Sequence, residues 1–437
     1  ERTDHLGVLA EQDKITSVGP SFGMGAGIRV FRAGRDGFVS TNDLSDQGLE
    51  EALQQALAML QLNASTLSSG SSFDGLGPLR DYGSSKNNWL DRTPDLVTIT
   101  QRLLEGTHCL EKRGQHLDVR RGSFARDWQE VLVAASDGTF ARDIRLHQSS
   151  GLSVLAADGE HRSSIARRYG SSDRPDDLCH WNVDASAQEV CDSAAKMLRA
   201  DYVDGGQMPV VLANRFGGVI FHEACGHLLE TTQVERGSTP FSDSIGESIA
   251  HSAVTAIDEG VSGGAFGSIS MDDEGMEPQR TVLIENGILQ CFLSDRAGEM
   301  RTGHARTGSG RRQSHGFAAA SRMRNTYIDA GPHSIDDLIS SVDHGLYCKS
   351  MGAGSVGATG QFNFSVEEGY LIKNGQLGQP VKGATLIGDA KEVMPRISMC
   401  ADDLELAAGY CGSVSGSVFV TVGQPHVKVD SITVGGR

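Results

Sequence analysis

An α+β fold in two domains is predicted by three features of the chain. Its 437 residues exceed what one hydrophobic core usually serves. Asp-Gly and Asn-Gly pairs sit between short alternating runs, the mark of antiparallel hairpins. Amphipathic helices fall between those hairpins without the regular strand-helix-strand alternation of a parallel sheet. The boundary is expected at Gly205-Gly206, giving an N-terminal α+β domain over 1–205 and a C-terminal domain over 206–437.

In chain order, "GIRVFRAGRDGFVST" predicts a hairpin turning at Asp36-Gly37, and "LEEALQQALAML" from Leu49 an amphipathic helix. The next helix is expected to start with Thr93 as N-cap and Pro94 at its first position. Turns follow at Asp137-Gly138 and Asp158-Gly159, then a helix from about Ala185 to Arg199. "MPVVLA" should be a buried strand, and after Gly217-Gly218 the pattern turns helical. Two later segments share Leu-Ile-x-Asn-Gly, predicting type I′ turns at Asn286-Gly287 and Asn374-Gly375. A last helix is expected between Ser334 as N-cap and Gly345 as its stop.

Composition excludes several classes. Hydrophobic residues at 38% and a mean hydropathy of -0.25 describe a soluble chain, with no apolar run near the length of a membrane span. A net charge of -17 argues against a nucleic-acid partner, which needs a concentrated basic face. Eight cysteines without a C-x-x-C pair, in a chain this long, fit reduced thiols in the cytoplasm.

The chemistry concentrates in "GGVIFHEACGHLLE", Gly217 to Glu230. Its His-Glu-x-x-x-His order is that of a zinc-hydrolase helix with one residue too many. On a regular helix positions i and i+4 lie about 40° apart, whereas i and i+5 lie about 140° apart. His222 and His227 therefore share a metal only if the backbone is irregular between them, and Gly226 is expected to permit a bulge or break. Zinc needs a third protein ligand. Glu230, Cys225 and the distant Cys411, in the Gly-rich "AAGYCGSVSG", are the candidates. Arg311, Arg312 and, less directly, His315 are candidates to bind substrate. Asp272-Asp273-Glu274 reads as a solvated acidic turn.

The segment from Met208 to Glu230, "GSISMDDEGMEPQRTVLIENGILQCFLSD", "TGSGRR" from Thr307, "PVKGATLIGD" from Pro380 and the closing "CGSVSGSVFVTVGQPHVKVDSITVGG" together resemble the TldD branch of the TldD/PmbA peptidase family. The resemblance implies a two-domain α+β zinc metallopeptidase acting on unstructured peptides, such as leader or precursor peptides. It implies His222, His227 and Cys411 as Zn2+ ligands and Glu223 as catalytic acid/base. It also implies a heterodimer with a metal-less TldE/PmbA-like paralogue, with a homodimer as the alternative. After His227 the family typically continues Gly-Leu-Glu-Gly-Asp, whereas this chain reads Leu228-Leu229-Glu230-Thr231-Thr232, so the wall beside the ligands differs. The competing readings are a zinc amidase acting on a small metabolite and a non-catalytic partner subunit.

Overall fold

The computed structural model describes residues 1–62, 75–357 and 360–436. Three large sheets with helices laid on them make an α+β architecture. In the first half, Arg2–Glu11 pairs with Lys14–Met24 on one side and Leu117–Ala134 on the other, and Phe140–Asp158 and His161–Ser172 continue the sheet, all antiparallel. Helices Leu96–Arg113 and Val183–Arg199 cover one face, burying Ile99, Leu103, Val190 and Met197 against Val8, Phe124 and Leu152. Gly106 allows this close approach, because a Cβ there would press on Leu152.

Alternate residues of Phe140–Asp158 point the other way, toward the second half of the chain. Arg145 donates to Asp273 and to the Met271 carbonyl, each at 2.8 Å, and His147 stacks on Phe419 at 4.0 Å. Lys86 reaches Asp143, Asp173 and Ser270. Covered on both faces, the strand is buried continuously from Asp143 to Leu152.

In the second half, Gly206–Leu212 runs parallel to His344–Val356 and antiparallel to Val427–Gly435 within an eight-stranded sheet. A six-stranded sheet places Asn325–Ile328 parallel to Gly416–Gln424, with Glu405–Ser413 at its end. A second large core, from Val203 to Val434, includes Leu212, Phe221, Leu346 and Val427. The hairpin of Ala26–Arg32 with Arg35–Thr41 also touches this half, where Arg29 Nη1 donates to the Ala319 carbonyl at 2.6 Å.

Several turns and caps lie where the sequence places them. Asn286-Gly287 and Asn374-Gly375 both carry positive φ, and Ser334 caps Ile335–Ser340 in a full capping box. Three details differ. The hairpin expected at Asp36-Gly37, Ala26–Arg32 with Arg35–Thr41, turns at Ala33-Gly34, and Gly37 is instead a strand residue that admits the Ala56 carbonyl of helix Asp46–Met59. Asp95, not Thr93, caps its helix by accepting from the Thr98 N–H at 2.8 Å. Gly345 belongs to a strand, and the helix it was expected to stop ends at Ser340.

Candidate metal centre

Strand Gly206–Leu212 delivers the chain to a 3-10 turn, Arg215–Gly218, and then to helix Val219–Ala224. Val219, Ile220, Phe221 and Ala224 are buried in the larger core, which fixes the helix while His222 faces away from its axis. The helix breaks at Cys225, with φ -121° and ψ -45°, and resumes as a 3-10 turn over Gly226–Leu229. That break absorbs the extra residue, and the two imidazoles meet at 5.0 Å between centroids with planes 84° apart. Gly226 contributes differently from the expectation. Its φ is not left-handed, but a Cβ there would collide with Met323 Sδ, so glycine is needed for close packing. Cys225 is fully buried and its thiol is pushed up to about 12 by burial, the behaviour of an apolar filler.

Cys411 arrives from strand Glu405–Ser413, nearly two hundred positions further along the chain. Its Sγ lies 3.3 Å from His222 Nε2 and 3.1 Å from His227 Nε2, and the three donor atoms lie within 4.8 Å of one another. Tetrahedral zinc with ordinary bond lengths would set each N···S pair at about 3.5 Å. The donor set therefore fits such an ion with small adjustments. Its electrostatics agree: burial opposes ionisation of Cys411, but the two histidines outweigh it and hold the thiol well below its ordinary range. Burial likewise opposes charge on His227, and Glu230 with Cys411 raises it well above the usual imidazole range. A divalent cation would take the place of the protons that balance this cluster.

Glu230 is almost fully buried, with Oε1 3.2 Å from His227 Nδ1, the ring nitrogen facing away from Cys411. It is placed to orient that ring rather than to complete the donor set. Glu223 Oε2 is 3.7 Å from His227 Nε2, and its side chain remains 27% exposed. It faces a cavity of about 340 Å³ that His227, Leu228, Gln233, Ser355 and Ser413 also line.

The stretch Ser321 to Arg324 braces these pieces. Arg322, fully buried, donates to the Cys411 and Gly416 carbonyls and to Ser415 Oγ. Ser321 Oγ meets both Thr231 and Thr232, and Met323 fills the notch at Gly226. Within the altered segment, Leu228 lines the cavity, while Thr231 and Thr232 bond inward. The sequence reading passed over Arg322. Two arginines in a short apolar run, "AAASRMRN", were the available signal.

The three proposed substrate contacts do not line the cavity beside Glu223. Arg311 is buried with Nη1 on the Met323 carbonyl at 2.8 Å, Arg312 pairs with Glu1, and His315 Nε2 meets Asn42 Oδ1 at 2.8 Å. Nor is the acidic triplet solvated. Asp272 accepts from the Glu274, Met276 and Gly310 N–H groups, Asp273 from Arg145 and the Arg312 N–H, and all three residues are buried.

Burial first, then repulsion from Asp272 and Asp295, raises Glu274 to about 8. The folded protein thus holds this proton more tightly than the unfolded chain, so the group's stabilising contribution is full at acid pH and is lost as pH climbs toward about 8. Urea unfolding midpoints at about pH 5 and about pH 8 should fall less in Glu274→Gln than in the parent. An equal fall in both would refute this.

Models of the PmbA/TldA metallopeptidases match the chain in three stretches: domain 1 over residues 1–60, the central domain over 95–198 and the C-terminal domain over 205–436. The Metalloprotease TldD homolog of Haemophilus influenzae is 36% identical over 425 residues, 94% of this chain and 86% of that one. The Zinc metalloprotease TldD homolog of Saccharolobus solfataricus is 33% identical over 242 residues, 55% of this chain and 54% of that one. The crystal structure of TldE from Thermococcus kodakarensis has the same fold, with a TM-score of 0.76 at 19% identity over 100% of this chain and 95% of that one. With the C-terminal model spanning the whole stretch that builds the His-His-Cys cluster, and with relatives aligned along nearly its full length, the chain belongs to the TldD side of the PmbA/TldA metallopeptidase family.

Proposed function

We propose that the protein is a zinc-dependent peptidase that hydrolyses amide bonds in unstructured peptides. The observation that carries this reading is the clustering of His222, His227 and Cys411 beside the partly exposed carboxylate of Glu223, which lines a cavity together with His227. The name of the Saccharolobus relative favours zinc. His222, His227 and Cys411 would hold the ion, with Glu230 orienting His227. A bound zinc supplies Lewis acidity, which acidifies water and polarises a carbonyl. Glu223 accepts the proton of the attacking water and passes it to the leaving amine. Because a thiolate ligand donates charge to the metal and tempers its acidity, Glu223 carries more of the proton transfer than in an all-histidine site. In this reading residues 206–437 are the catalytic part and 1–205 its support.

The same reading places the protein in the cytoplasm, paired with a metal-less paralogue of the TldE kind or with a second copy. The edge strand Lys14–Met24 supports a partner. No strand other than Arg2–Glu11 pairs with it among the described residues, and Val18, Phe22 and Met24 are 42%, 61% and 50% exposed.

A pool of flexible peptides, incubated with and without a chelator and read by mass spectrometry, tests the activity. New termini should appear only without chelator and return when zinc is restored. Cleavage that survives complete metal removal would refute the proposal, and turnover of small amides alone would favour the amidase reading.

A further inference from the structure

A second cavity, of about 450 Å³, lies farther along the strand that carries Cys411. Leu406, Ala407 and Ala408 all line it. Successive strand residues point to opposite faces, so three in a row meet a cavity only at the strand's edge. Among the described residues Glu405–Ser413 pairs with Gly416–Gln424 alone, so no strand bonds to that edge, and His161–Ser172 packs beside it with Gly170 against Ala408. Ala408 is three residues from Cys411, or roughly 10 Å along an extended strand.

Three arginines, Arg168, Arg174 and Arg215, converge on this cavity in a chain whose net charge is -17. Two of them are held in place by side-chain contacts. Arg168 lies over the Tyr410 ring, 5.4 Å from its centroid. Arg174 donates to the Gly263 carbonyl, and Gly264 lacks the Cβ that would displace it. Arg215 has a left-handed backbone, φ 59°, unusual for a residue with a side chain. Two acids, Asp177 and Glu405, stand beside them, so the three arginines leave a single positive charge in excess. Asp177 is charged but is engaged by Ser171 Oγ, with no arginine paired to it among the described residues, and the Arg215–Glu405 pair spans 3.5 Å with both side chains substantially exposed, a weak contact.

We propose that this groove is a carboxylate-binding subsite, selecting peptides that carry acidic groups about three to five residues from the bond beside Cys411. The proposal rests on the peptidase reading for its substrate, but its test reads binding and not turnover. Zinc-loaded Glu223→Gln protein is titrated with dye-labelled Gly/Ser peptides of about twelve residues, bearing glutamates or the matching glutamines. The glutamate peptide should bind on the order of 10-fold more tightly, with the gap closing at high salt. The double variant Arg168→Gln, Arg174→Gln, altered only at exposed side chains, should lose that preference while keeping affinity for the glutamine peptide.

Repeating the titration with C-terminally amidated peptides separates the two sources of carboxylate. The glutamate preference should survive amidation, because a groove that took the chain terminus would bind the two free-acid peptides alike and lose affinity for both once they are amidated. Equal affinity of the two peptides, or an unchanged preference in the double variant, would overturn the proposal. Failure of the peptidase reading is seen separately, as absence of cleavage by unsubstituted protein despite selective binding.

Discussion

Glu223→Gln is expected to keep its metal and to lose turnover by about 10²- to 10⁴-fold, the range typical of general acid-base groups. The amide has nearly the same shape, so the cavity and the cluster beside it should be undisturbed. It has no basic oxygen to accept a proton at neutral pH. In the proposed mechanism Glu223 is the acid-base group because of its position, with its carboxylate 3.7 Å from His227 Nε2 and partly open to the cavity. Glu230, the other carboxylate nearby, is 1% exposed and set on the far side of the His227 ring, where no substrate reaches it. Glu230→Gln should therefore weaken metal binding, by roughly the 10- to 100-fold typical of residues that orient ligands, more than it slows the loaded enzyme. Turnover is measured on proteins matched for zinc content. Parent-like turnover in zinc-replete Glu223→Gln would assign proton transfer to another group.

The sequence made the local chemistry of this site legible and left its assembly obscure. Asn286-Gly287 and Asn374-Gly375 were readable because a type I′ turn demands positive φ, which few residues supply. Asp36-Gly37 misled because that glycine serves tertiary contact: it clears room for the Ala56 carbonyl, and the turn itself uses Ala33-Gly34. The same confusion arose at Gly226, read as a conformational hinge when it is a notch for Met323, the backbone break falling at Cys225. His222, Glu223 and His227 stand close in sequence, so their spacing alone raised the question of a metal. Nothing local brings Cys411 to them. That contact depends on a sheet joining Asn325–Ile328 to Gly416–Gln424 and on Arg322 gripping the Cys411 carbonyl, long-range arrangements that periodicity does not encode. The acidic triplet misled for a related reason, since its partners, Arg145 and the backbone around Gly310 and Arg312, are distant in the chain.

Cys411→Ser should abolish stoichiometric zinc, whereas Cys225→Ser should retain it. The two thiols differ in environment more than in position. Cys225 is enclosed by apolar side chains that push its thiol up to about 12, so it stays protonated and has no charge to offer. Cys411 is buried too, but its Sγ faces two imidazoles at 3.1 and 3.3 Å, which hold it as thiolate despite the cost of burial. A serine at 411 would present a neutral hydroxyl at neutral pH, leaving two histidines where zinc sites ordinarily use at least three protein ligands. The loss in affinity should exceed the roughly 10- to 100-fold seen when a residue that merely orients a ligand is removed. Zinc content after dialysis against chelators of graded strength gives one measure. Cobalt substitution gives another that does not depend on activity, because the thiolate-to-cobalt charge-transfer band should be present in the parent and in Cys225→Ser and absent in Cys411→Ser. Full zinc and an intact band in Cys411→Ser would remove Cys411 from the ligand set and return Glu230 to consideration.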